Sequence, residues 1–183
     1  MENSPTVLIR KAVPSDIDAI MDIEKYSFHS KIMESRDVFE DRISIFANGF
    51  LVAETGGRVV GYISSELWDY SDEIPYFHFS INHSISDTHK PMGNEIYISS
   101  VAVYPNVRGE KIGKKLFLAL LESLRSEYDI VSSILIVNSD WKNAHGMYQK
   151  EGFAEIGQID GFFPKISSDP KSGTGIIMRK SMK

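Results

Sequence analysis

The spacing of apolar residues alternates along this chain between the strand period and the helix period. Thr6 to Ala12 reads as a strand, and Pro14-Ser15-Asp16 then opens a helix with Ser15 as N-cap and Asp18 three residues on. Ile17, Ile20, Met21 and Glu24 share one face of that helix. A second helix is expected after Ser35, with Val38, Phe39, Ile43 and Phe46 on one side and Asn48-Gly49 as its stop. Gly49 to Glu54 and Arg58 to Trp68 form a hairpin about Thr55-Gly56-Gly57, where glycine permits positive φ. Residues 69–94 then break the pattern: they are polar and aromatic, carry three histidines and end in Pro91-Met92-Gly93-Asn94. A segment that long inside a compact domain is functional or disordered.

Order returns at Glu95 to Tyr104, a buried-type strand ended by Pro105. Ile112 to Arg125 is a strongly amphipathic helix through Ile112, Leu116, Phe117, Leu120, Leu121 and Leu124. A strand at Ser133 to Asn138, a helix at Asp140 to Glu151, a strand at Phe153 to Ile159 and a last strand at Gly175 to Lys180 complete the series. The order β-α-α-β-β-β-α-β-α-β-β predicts an α/β fold, a single domain over 1–183 with one central mixed sheet flanked by helices.

Composition narrows the chemistry. At 183 residues and 42% hydrophobic the chain suits one domain with a real core. A net charge of −5 offers no overall attraction to nucleic acid or an anionic membrane surface. Cysteine is absent, which excludes disulfides, thiolate metal sites and a cysteine nucleophile, and suits a reducing compartment. Met1 to Pro5 lack the pattern of a signal peptide, and no apolar run reaches the ~20 residues of a membrane span, so a cytoplasmic protein is expected. His78, His83 and His89 match no metal-ligand spacing, and no metal is expected.

The sharpest local signal is Val101-Ala-Val-Tyr-Pro-Asn-Val-Arg108-Gly109-Glu110-Lys111-Ile112-Gly113-Lys114. A buried strand enters a short glycine-bearing basic loop, and a helix starts at once. Amide groups at a helix N-terminus, with the helix dipole, form an anion site, and glycine lets a bulky pyrophosphate approach the backbone. Arg108, Lys111, Lys114 and Lys115 add positive charge in an acidic chain. The plainer alternative is a βα turn with a solvated basic helix start, and local physics names no ligand.

Here the sequence resembles the GNAT N-acetyltransferases. Their coenzyme motif, Arg/Gln-x-x-Gly-x-Gly/Ala, matches at Arg108 and Gly113, with Lys111 where the family usually has the inner glycine and Gly109 at a position often glycine in bacterial members. Ile134 to Asn138 followed by Ala144-x-x-Met147-Tyr148-x-x-x-Gly152-Phe153 is similar to the family's second coenzyme motif. The family's asparagine seven residues before the tyrosine is Trp141 here, which leaves open whether Asn138 or Asn143 contacts the coenzyme. Ile9-Arg10-x-Ala12-x-x-x-Asp16 and Met178-x-Lys180 also suit the family.

The resemblance implies acetyl-CoA as cosubstrate, lodged in a cleft where two strands splay apart, and direct attack by an amine in a ternary complex. Backbone at Val101 and Val103, flanking Ala102, would hold the pantetheine arm; residues 108–114, with Met147, would complete the coenzyme site. Tyr148 matches the tyrosine that protonates the departing thiolate, the alternative being a core aromatic beside Ala144 and Met147. The family's usual base position is Tyr97 here. Glu95 lies two residues earlier, so strand alternation puts it on the same face, and it is expected as base, direct or through a water ordered by Tyr97 and Ser99. A Glu95 that merely begins the strand in solvent is the alternative.

Ser65-Glu66-Leu67-Trp68-Asp69 resembles arylalkylamine N-acetyltransferases in style. Residues 69–94 would border the acceptor site, with Phe28, Trp68, Tyr70, Tyr76 and Phe77 as walls and Phe162-Phe163-Pro164 opposite; Asp69, Asp72 and Glu73 would attract a cationic amine. The alternative is that these aromatics pack on their own loop. The expected partner is a small-molecule amine, with a homodimer left open. A peptide N-terminal or lysine acetyltransferase and a non-catalytic acyl-CoA-binding regulator are the competing readings.

Overall fold

The computed structural model describes residues 6–183, so the reading of Met1 to Pro5 lies outside the described residues. In chain order the elements are β1 (Val7–Lys11), α1 (Ile17–Ser27), α2 (Arg36–Ile45), β2 (Phe50–Thr55), β3 (Arg58–Trp68), α3 (Ile85–Thr88), β4 (Glu95–Val103), α4 (Ile112–Glu127), β5 (Ser132–Asn138), α5 (Lys142–Lys150), β6 (Ala154–Ile159) and β7 (Gly175–Ser181). The strands make one seven-stranded sheet ordered β1-β2-β3-β4-β5-β7-β6. Every pairing is antiparallel except β4 with β5.

The β2–β3 hairpin turns on Gly56 and Gly57 at φ of +57° and +77°. Such a turn follows the right-handed twist of the strands. The start of α1 differs from expectation. A 3-10 turn at Pro14–Asp16 precedes it, and the Asp16 carboxylate, not Ser15, accepts the Val13 N–H at 2.9 Å. The same carboxylate grips Arg10 of β1 at 2.7 and 2.9 Å, so the cap also ties helix to sheet.

Two apolar layers enclose the sheet. On one face α1 and α2 pack Ile17, Ile20, Ile23, Phe39 and Ile43 onto Phe50, Val52, Tyr62 and Ala102. On the other, α4 sets Leu116, Phe117, Leu120 and Leu124 against Leu51, Ile63, Ile96 and Ile98.

Two irregularities mark β4. Ser64 opposes Ser100 whereas Ser65 opposes Ile98, so Ser99 is the extra residue of a β-bulge. Upstream of it Tyr97 faces the α1 side; beyond it Ser100 and Ala102 take that face and Val101 and Val103 turn to the α4 side. The parallel ladder with β5 covers only Glu95 to Ile98, opposite Ser132 to Leu135, and past that point the strands diverge.

Candidate active site

The divergence of β4 and β5 opens a cavity of about 140 Å³. Residues 97–101 of β4, 135–137 of β5, Trp141 just before α5, and Ala144 and Tyr148 of α5 form its floor and one wall. Phe28, Ile32 and Glu34 between α1 and α2, Phe79 to Ile81 and His83 before α3, and Phe162 and Phe163 between β6 and β7 form the rest. Tyr104 N–H donates to Val60 O and Ala102 faces Tyr62, so the even residues pair with β3. The amide and carbonyl groups of Val101 and Val103 therefore point toward the gap. That is an edge without a strand partner, of the kind an extended amide-bearing chain can join.

At the wide end of the gap the chain turns through Pro105–Val107 into α4. Gly109 holds φ +96°, and Lys111, the position where the resemblance would put glycine, holds φ +60°. A left-handed lysine carries roughly 1–2 kcal/mol of steric cost, so the loop keeps the family shape with an unsuited residue. A methyl group on Gly113 would meet only the Val103 side chain, at 3.7 Å, so protein packing does not demand this glycine. Arg108, Glu110 and Lys111 are exposed, and Ile112 anchors the helix start in the core. Arg108 Nε donates to Val103 O at 3.3 Å, and Lys114 pairs with Glu151 at 2.5 Å, tying α4 to α5. The Asn138 side chain is already used, accepting the Asp140 N–H at 3.0 Å, whereas Asn143 is exposed on the first turn of α5.

Tyr148 lines the cavity and is otherwise enclosed by Phe117 and Phe153, with Met147 half-buried beside it. Burial pushes its phenol well above the ordinary tyrosine range, which keeps the proton on the oxygen. Across the cavity, Ser99 Oγ and Ser64 Oγ are 2.7 Å apart. Tyr97 is buried, stacked on Trp68 at 4.1 Å and edge-on to Phe79 at 5.3 Å.

Five expected residues stand elsewhere. The Glu95 carboxylate accepts from Ser132 Oγ at 2.7 Å and pairs with Arg179 at 2.8 Å, outside the cavity lining. It sits where the β4–β5 ladder is still closed, so neither solvent nor the gap reaches it. Trp68 backs Tyr97 instead of lining the site. Tyr70 lies under the Arg179 guanidinium, 4.9 Å from its ring centroid, and donates to Asp72 at 2.7 Å, with Tyr76 and Phe77 also outside the lining.

Phe28 and Phe162 do line the cavity, joined by residues that no sequence pattern singles out for it. Trp141 bridges Phe28 and Phe163 with ring centroids 5.6 and 5.1 Å away. The β6–β7 loop is held over the site because Asp140 Oδ2 accepts from Gly173 N and Ser172 Oγ, at 2.9 and 3.0 Å. Any side chain at Gly173, φ +79°, would strike the Phe163 carbonyl at 2.4 Å, so glycine permits that closure. On the other side His83 Nε2 pairs with Glu66 at 2.5 Å and Thr88 Oγ1 donates to Glu66 at 2.6 Å, fastening residues 80–88 to β3.

A floor with a strand edge that lacks a strand partner, a glycine loop opening a helix, and a buried tyrosine at the meeting of β5 and α5 are laid out as the resemblance implies for an acyl-coenzyme A cleft. The model of the acetyltransferase (GNAT) family matches residues 17–153, and the chain belongs to that family, whose enzymes take acetyl-CoA as acyl donor. It is similar to the uncharacterized N-acetyltransferase YkwB of Bacillus subtilis, 26% identical over 121 residues that cover 62% of this chain and 53% of the relative. The chain thus spans about half the length of that relative. It is 25% identical over 151 residues to an N-alpha-acetyltransferase of Sulfurisphaera tokodaii, covering 81% of this chain and 80% of that one. Among solved structures, the GphF GNAT-like decarboxylase in complex with isobutyryl-CoA superposes with a TM-score of 0.79 at 20% identity, covering 96% of this chain and 100% of that one. Among the described residues no group of three or more metal-ligating side chains gathers, and no helix is long and apolar enough to cross a membrane.

Proposed function

We propose that the protein is an N-acetyltransferase that moves the acetyl group of acetyl-CoA to a small primary amine by direct attack in a ternary complex. The observation that carries this reading is the aromatic closure over the cavity, Phe28 to Trp141 to Phe163, together with the loop fastened by His83. A cavity of about 140 Å³ flanked by these aromatic rings and this loop suits a compact acceptor better than a polypeptide running through an open groove. Residues 69–94 act as the acceptor-site loop, though through Phe79, Ile81 and His83 instead of Tyr70. A cytoplasmic setting suits the cysteine-free chain.

In this reading the loop at 108–114 holds the pyrophosphate on the α4 N-terminus, and the strand edge at Val101 and Val103 holds the pantetheine arm. The amine attacks the thioester carbonyl, the C–N bond forms and the C–S bond breaks, and the Tyr148 hydroxyl supplies the proton that the thiolate takes. Asn143 is the asparagine free to reach the coenzyme. A peptide N-terminus is the second reading, favoured by the resemblance to an N-alpha-acetyltransferase.

The test measures free thiol release from acetyl-CoA against aryl amines, polyamines and peptides; a cysteine-free protein contributes no background. Turnover confined to small amines is expected. Turnover confined to peptides would replace the reading with the second one, and coenzyme binding without turnover would point to a regulator.

A further inference from the structure

With Glu95 held outside the cavity, the acceptor ammonium needs another destination for its proton. We propose that Glu24, buried beneath the cavity floor on α1, is that destination, reached through the hydroxyls of Ser100 and Tyr62. The relay rests on the reading that the acceptor binds as an ammonium in this cavity.

The geometry runs in one direction. Ser100 lines the cavity just past the β4 bulge, and its Oγ is 2.8 Å from Tyr62 Oη. Tyr62 Oη in turn donates to Glu24 Oε1, while Glu24 Oε2 accepts the Glu34 N–H at 3.1 Å. A carboxylate has no hydrogen to give, so the single Tyr62 proton is committed to Glu24. Ser100 must then donate to Tyr62, which leaves the Ser100 lone pairs free to accept from a group in the cavity. The bulge is what makes this possible: without Ser99 as an extra residue, Ser100 would face α4.

Glu24 is also an unusual residue to bury for structure alone. It is 1% exposed, and the nearby cation, Arg42 of α2, is engaged bidentately by Glu34 at 2.5 and 2.7 Å. A buried carboxylate without its own ion pair is costly. The groups facing it are Tyr62 from β3, the Glu34 N–H and carboxylate from the α1–α2 link, and Arg42 from α2. Burial dominates and pushes the Glu24 carboxyl up to about 7, against the lowering effects of the Tyr62 and Glu34 N–H hydrogen bonds. A base that titrates near neutral pH is well matched to its task.

The protons balance. An ammonium N–H proton passes to Ser100 Oγ as Ser100 passes its own to Tyr62 and Tyr62 its own to Glu24, which becomes a carboxylic acid. The freed amine attacks the thioester, and its second proton offsets the one Tyr148 gives to the thiolate. Glu24 returns its proton along the same hydroxyls to water that refills the cavity after product release.

The experiment is the pH dependence of kcat/KM with the best amine, for the native protein and the Glu24→Gln, Tyr62→Phe, Ser100→Ala and Ser100→Thr variants. Native kcat/KM should rise with pH through about 7, as Glu24 ionises. Glu24→Gln, Tyr62→Phe and Ser100→Ala should each lose roughly 10²-fold in kcat at neutral pH. Their rising limb should move to the amine's own pKa, with KM for acetyl-CoA unchanged, and Ser100→Thr should recover what Ser100→Ala loses. Ser100 sits at the wall, so its variants test the relay even if changes at Glu24 or Tyr62 disturb packing. An unmoved limb in all three would overturn the relay. If no amine is turned over, slow hydrolysis of acetyl-CoA replaces aminolysis: hydrolysis that loses its neutral limb in Ser100→Ala upholds the relay while the acceptor reading fails, and hydrolysis indifferent to that change overturns it.

Discussion

On the α4 side of the cleft the features offered to a ligand are backbone: an edge at Val101 and Val103 that lacks a strand partner, a loop bent by Gly109 and Lys111 at positive φ, and room above Gly113. On the α1 side the surface is side chain throughout, with aromatic rings overhead and Glu24, Glu34, Glu66, Arg42 and His83 buried or nearly so behind them. Backbone recognition tolerates sequence change, as the lysine at position 111 illustrates, because shape and amide direction survive it. Side-chain recognition is specific to each residue, and in the proposed reading this half sets which acceptor is taken.

Three substitutions put that contrast at risk. The largest effect is expected from Gly113→Asp, which puts a carboxylate where the coenzyme phosphates would lie. Two like charges ~4 Å apart at an effective dielectric near 20 repel by about 4 kcal/mol, or roughly a thousandfold in Kd. Calorimetric titration with acetyl-CoA reads it, and unchanged affinity would remove the loop from the coenzyme site. Tyr148→Phe should come next, lowering kcat roughly 10²-fold with coenzyme affinity intact. Undiminished turnover would return Tyr148 to the core.

The smallest effect belongs to His83. Burial lowers its basicity, yet hydrogen bonding and attraction to Glu66, with the Ser80 carbonyl, outweigh burial and leave its pKa raised. Its stabilising contribution is therefore complete below the unfolded histidine value of about 6.5 and is lost as pH rises through the folded value. Hydrogen exchange of residues 80–88, corrected for intrinsic rates, should show the loop loosening with rising pH. His83→Gln should exchange at the loosened level throughout, and equal protection at every pH in both proteins would separate the loop from this pair.

The sheet and its helices are legible because alternation, the Gly56-Gly57 turn and the α4 stripe are local signals. The strand, glycine loop and helix start from 101 to 114 are legible for the same reason, being contiguous, and the loop's role as a coenzyme site is the proposal that Gly113→Asp tests. What escapes is what contiguity cannot carry. Ser99-Ser100 conceals the bulge, since two neighbouring serines look alike whichever face they take, and the bulge brings Ser100 onto Tyr62. Glu24 reads as one more position on the α1 face, and only the placement of β3 and β4 against that helix reveals its hydroxyl partners. Parity puts Glu95 in the site, which is correct as to face but silent on the closed ladder and Arg179. Trp141 reads as a missing asparagine, whereas its ring joins segments more than a hundred residues apart, from Phe28 to Phe163.

The short parallel ladder has a mechanical consequence. β1 to β4 form one antiparallel leaf and β5, β7 and β6 another, and between the leaves the sheet is stitched over a short stretch, from Asn94–Val131 through Glu95–Ser132 to Ile98–Leu135. The molecule is bound like a book along a short spine, and the cleft is the space between its pages. An acyl-CoA lying there, as proposed, would touch both pages and act as a splint. At a hundredfold excess over Kd it would add about 2.7 kcal/mol to the cohesion of the folded state. A donor admitted by that gap would thus become a part of the frame.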